Sequence, residues 1–148
     1  MTPAAQLSAS IARYGPEVAA VARNAYRRMR RRLPGATALV YHYSHSLVIA
    51  FGASERGYEA VLSLALYPRL VKLFFLGGPT LPDPAGLLSG KGKQVRSIVL
   101  EETGTLDRAE VRALIDHAVR RADPLVAKPG RGSVVIKTLA KKQRARRP

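Results

Sequence analysis

The apolar positions along this chain change period several times, and each change marks an element. In residues 70–100 Val71, Leu73 and Phe75 alternate with Lys72, Phe74 and Leu76, the period-2 pattern of a strand set in a sheet. Gly77-Gly78-Pro79 ends that run, since glycine admits positive φ and proline has no N–H for a ladder. Residues 94–101 are rich enough in β-branched side chains to return as a second strand. Between the two runs a long Gly/Pro-rich stretch predicts a loop that is either packed on itself or functional.

The rest of the chain arranges itself around this pair. Residues 6–14 predict a short helix, broken at Gly15-Pro16, where Pro16 is placed to start the next one. From 17 to 33, Val18, Val21, Ala22, Ala25, Tyr26, Met29 and Leu33 form one apolar stripe. Arg23, Arg27, Arg30 and Arg31 fall on the opposite side. Residues 37–43 and 46–52 read as strands joined by a tight turn at Ser44-His45. Residues 60–67 carry Leu62, Leu64 and Leu66 in alternation and read as a third strand. Asp107, with Glu110 three residues on, predicts the capped start of a last helix whose stripe is Val111, Leu114, Ile115, Ala118 and Val119. The expected architecture is an α+β two-layer sandwich: a five-stranded, mostly antiparallel sheet with an N-terminal and a C-terminal helix on one face. Residues 1–15 form an N-terminal segment, 16–126 the folded domain, and 127–148 a basic tail too poor in core formers to pack.

Charge changes this picture most. The net charge is +15, and it is concentrated. Residues 128–148 hold eight Lys/Arg and no acid, and residues 13–32 hold seven Arg and one Glu. Charge so placed bears on partners rather than on fold. The chain has no Cys, so disulfides, thiolate metal sites and Cys nucleophiles are excluded. The first residues lack the pattern of a signal peptide, and no apolar run approaches the roughly 20 residues of a membrane helix. A cytoplasmic protein with no membrane partner is expected, its oligomeric state open.

The segments carrying PGAT and the Tyr-rich strand after it (34–43), LVIAFGASERG (47–57), YPRLVKLFFLGGPTLPDPAGLLSGKGKQVRSI (67–98) and the closing helix resemble the YdhG-like group of bacterial proteins, a domain of unknown function. The resemblance covers roughly residues 16–122. Some members of that group are described as frataxin-like iron chaperones, and the helix–five strands–helix order resembles the frataxin arrangement. Chaperones of that shape are expected to present acidic residues on the first helix. Here Glu17 stands alone among the seven arginines of residues 13–32, a departure that speaks against carrying iron binding over.

Three local patterns point to chemistry. In Gly90, Lys91, Gly92 and Lys93, glycines let backbone N–H groups converge on an anion and lysines add charge. Arg96 follows as a bidentate donor, and Lys72 sits on the neighbouring strand. An anionic small molecule or phosphate-bearing partner is the expected ligand. The turn is not a Walker A loop: Gly86 is one residue too close, no Ser/Thr follows Lys91, and a strand comes next. The second pattern is the arginine helix face with a tail bearing Lys141, Lys142, Arg144, Arg146 and Arg147, a set that predicts sequence-nonspecific nucleic-acid binding through phosphates. The third is the polar-aromatic run Tyr41-His42-Tyr43-Ser44-His45, which has no neighbouring acid to complete a metal site and no nucleophile elbow. No catalytic constellation stands out, and no cofactor is called for.

Overall fold

The structure, a computed structural model, describes residues 1–129 and 132–137. Its elements run α1 (Pro3–Ala12), α2 (Pro16–Arg32), β1 (Thr37–His42), β2 (Leu47–Gly52), β3 (Ala60–Leu66), β4 (Val71–Leu76), β5 (Val95–Leu100), α3 (Ala109–Arg121) and β6 (Val134–Lys137). The class is α+β. The strands lie in the order β5-β4-β3-β2-β1-β6, antiparallel throughout except that β6 runs parallel to β1.

Strand alternation sorts the sheet into two faces. Val40, Ile49, Leu64, Leu73 and Ile98 share one face, and all are buried in a single core with the stripes of α1, α2 and α3. The stripe of α2 is rich in alanine, and Ala22 and Ala25 have no exposed surface, so this helix lies close on the strands. Leu114, Ile115 and Ala118 of α3 and Leu7 and Ile11 of α1 fill the flanks. The other face carries a smaller cluster of Leu39, Ala50 and Ala60, with Tyr41, Leu76 and Val135 half-buried around it.

Two features differ from the expectation, the sheet and the start of α3. The sheet has six strands rather than five and is mixed, because Val134, Val135 and Ile136, assigned to the tail, pair with Ala38, Leu39 and Val40. A β-branched run of this kind fits a sheet edge whatever its neighbours' charge. Residues 130, 131 and 138–148 of that tail, including Lys141, Lys142, Arg144, Arg146 and Arg147, lie outside the described residues. The last helix is not capped by Asp107, which ends a 3-10 turn, Thr103–Asp107, and reaches instead to Arg28. The reciprocal capping box sits one turn earlier, between Glu102 and Thr105. The long loop after β4 is packed. Asp83 accepts hydrogen bonds from the Leu87 and Leu88 N–H groups at 2.9 Å each, Leu81 is buried, and Arg121 donates to Thr80 Oγ1 and O at 2.7 Å each.

Candidate functional site

Register decides what the glycine–lysine turn can do. Lys72 pairs with Val99, and Arg96 pairs with Phe75, so the two basic residues stand on opposite faces of the sheet. Lys72 Nζ lies over the Tyr67 ring, 5.8 Å from its centroid, a cation–π contact. The Arg96 guanidinium turns back on its own loop, where Nη1 donates to the carbonyls of Gly92 and Val95. Ser89 and Ser97 exchange both backbone hydrogen bonds, at 2.8 and 2.9 Å, and close the loop at its base. Lys91 and Lys93 project into solvent. The fold therefore keeps Gly90, Lys91, Gly92, Lys93 and Arg96 together, with Arg96 as the brace of the turn, and places Lys72 elsewhere.

The arginines of α2 divide into two sets of three. Arg28 Nη1 bonds Asp107 Oδ1 at 2.7 Å, and Arg32 Nη1 meets Asp116 Oδ1 at 2.5 Å, so both tie α2 to the region of α3. Arg30 Nη1 donates to Ala36 O at 2.7 Å and Nη2 to Ser133 O at 3.3 Å, while its guanidinium lies 5.9 Å from the centre of the Tyr26 ring. Burial raises the Tyr26 phenol above its ordinary pKa, and the Arg30 charge works against that rise. Arg30 is thus a structural residue, not part of a free basic face. Arg23, Arg27 and Arg31 have no hydrogen bond or ion pair from their guanidinium groups among the described residues. They recur every fourth residue, about 6 Å apart along the axis. Arg31 also borders a cleft of about 530 Å³ between α2 and α3, into which Arg112 projects. The side-chain carbonyl of Asn24 in that cleft has no partner among the described residues.

The polar-aromatic run forms the end of the β1–β2 hairpin. Tyr43 N–H donates to Ser46 O at 2.9 Å, and no residue of the turn has positive φ. It is therefore not the primed turn that holds two strands closely together. His42 does not face a carboxylate. It meets Ser10 of α1, with His42 Nε2 and Ser10 Oγ 2.9 Å apart. Sequence reasoning missed Ser10, because a serine in an exposed-looking helix has no signature and its partner is 32 residues away. Tyr41 stacks on Tyr43 at 6.4 Å, and burial together with the Tyr43 neighbour raises its pKa. Among the described residues no three His, Cys, Asp or Glu side chains come together in a group that could hold a metal ion. No described helix is long and apolar enough to cross a membrane.

No protein-family model, curated protein or solved structure matches this chain.

Proposed function

We propose that this chain binds a phosphate-rich polyanion, a nucleic-acid backbone in the first instance, along the outer face of α2. The observation that carries the reading is the stripe Arg23, Arg27 and Arg31. Like charges four residues apart on a helix cost about 0.2–0.5 kcal/mol per pair. The stripe imposes that cost twice, and no carboxylate among the described residues offsets it. A local rule broken without compensation inside the fold is where a ligand is to be sought. The other three arginines of the helix are engaged in ion pairs and hydrogen bonds, which makes the free set distinct. The contacts would be to phosphates and would position rather than read sequence.

Two further readings have less support. Exposed Lys91 and Lys93 favour a small anion at the glycine turn, weakened by the separation of Lys72 from Arg96. Membership of the YdhG-like group is supported by the quoted segments and by the order α2, five strands, α3. The acid-poor α2 offers no support for an iron chaperone.

The test is titration of a short DNA duplex at several salt concentrations with the full chain and with the triple variant Arg23→Ala, Arg27→Ala, Arg31→Ala. Three lost phosphate contacts should flatten the log–log salt slope by about 3. An unchanged slope and affinity in the triple variant would overturn the proposal.

A further inference from the structure

A recess of about 420 Å³ lies at the end of the β1–β2 hairpin. Ser10, Arg13 and Tyr14 line it from α1 and the turn that follows, and His42, Ser44 and His45 line it from the hairpin. None of its lining residues is Asp or Glu. One guanidinium and two imidazoles without a carboxylate make a poor cation site and a good oxyanion site. The Arg13 guanidinium has no hydrogen bond or ion pair among the described residues, so its fork is free for bidentate contact.

The Ser10–His42 contact fixes which atoms the recess presents. Ser10 Oγ lies 3.0 Å from the Gln6 carbonyl, which only accepts, so the hydroxyl proton goes there. In the 2.9 Å contact His42 Nε2–H is therefore the donor and Ser10 Oγ the acceptor. The polarity is the reverse of a serine activated by a histidine base. It also leaves His42 Nδ1 as the nitrogen for a ligand. A ligand that meets His42 at Nδ1 thus leaves the half-buried α1–β1 contact intact.

We infer that this recess binds a small molecule through a single oxyanion group, a phosphate monoester or a carboxylate, held by Arg13, His42 and His45. The site is separate from the arginine stripe and does not depend on it. The experiment follows the imidazole resonances of the full chain during titration with inorganic phosphate and with acetate, using chloride at equal ionic strength as control. The expected result is saturable movement of the His42 and His45 signals with phosphate, acetate or both but not with chloride. The tighter of the two identifies the source chemistry. Arg13→Ala should weaken that binding about tenfold or more, the loss of one bidentate charged contact. The triple stripe variant should leave it unchanged, and Arg13→Ala should leave the DNA salt slope unchanged. His42→Gln, which keeps an N–H donor for Ser10, serves in place of His42→Ala should the latter fail to fold, and should weaken binding as well. Histidine signals that follow chloride as they follow phosphate and acetate, or full affinity in Arg13→Ala and His42→Gln, would overturn the inference.

Discussion

Arg28 Nη1 lies 2.7 Å from Asp107 Oδ1, across 79 residues of sequence, and joins the outer side of α2 to the turn that leads into α3. The hydrogen bond from Arg28 is the main reason the Asp107 carboxyl is held below its ordinary pKa. Desolvation opposes the shift, and the charges of Arg28 and Arg112 add to it.

A depressed folded-state value fixes the sign of the pH dependence. The pair stabilises the fold fully above the ordinary aspartate value of about 3.9, and the contribution is lost as pH falls through the lower folded value. Asp107→Asn should therefore lower the thermal midpoint at neutral pH, and the gap to the parent should close in acid. Because the pair is exposed, the gap should also narrow at 1 M salt, where the Debye length is about 3 Å. A gap that persists unchanged in acid and in high salt would show that packing, not charge, is at work.

Arg30 holds the C-terminal edge of the sheet. Its two nitrogens reach Ala36 O at the entrance to β1 and Ser133 O just before β6. Arg30→Ala should cost about 1.5–3 kcal/mol, the range for hydrogen bonds to a charged group. The loss should be local, seen as faster amide exchange at Val134, Val135 and Ile136 than in β2 or β3. Arg30→Lys should recover only part of it, since an ammonium is a point charge without a planar fork. Uniform acceleration across the sheet would contradict this assignment.

The sequence made the central elements legible because their periods are strong. Leu62, Leu64 and Leu66 alternate in a segment of weak intrinsic preference, and they form a strand whose neighbours bury them. The apolar stripes of α2 and α3 carried over almost residue for residue. What failed was information that period does not hold. The sixth strand is four residues long, and the basic composition around it hid a short β-branched run. The faces of Lys72 and Arg96 follow from pairing register, which sets Lys72 opposite Val99, and register is a property of two strands together. Of the four arginines expected on the free face of α2, Arg30 alone is engaged in the fold, and its role, like those of Arg28 and Arg32, was invisible because Ser133, Asp107 and Asp116 are distant in sequence. Ser10 needed the packing of α1 on the hairpin before it could be seen at all.

Two glycines near the lysine turn should respond oppositely to alanine. A Cβ at Gly78 would sit 2.5 Å from Arg96 Cβ and 2.8 Å from Arg96 N, so backbone has to move. Gly78→Ala should destabilise by about 1–3 kcal/mol, as overpacking does. A Cβ at Gly92 would meet nothing within 4 Å, and its φ is not in the left-handed region. Gly92→Ala should be neutral or stabilising by about 0.4–1 kcal/mol through the unfolded chain. Denaturant midpoints for both variants check the pair, and a large loss at Gly92 would mean that the turn needs glycine for a reason other than space.

Arg96 should act on the turn mechanically. Its guanidinium bonds the carbonyls of Gly92 and Val95, and Ser89 and Ser97 close the base, so removing the guanidinium frees the tip while the base stays shut. Arg96→Ala should raise the rate of tryptic cleavage after Lys91 and Lys93 several-fold without a matching fall in the global unfolding midpoint. Lys72→Ala should leave that rate unchanged, because Lys72 stands on the far face against Tyr67. Phosphate titration then separates brace from ligand. If Arg96 binds the anion directly, added phosphate protects the parent loop from trypsin and Arg96→Ala abolishes the protection. If Arg96 is the brace, phosphate leaves the cleavage rate of the parent as it was, and only the variant is cut faster. The bonds from Arg96 to its own loop favour the second outcome.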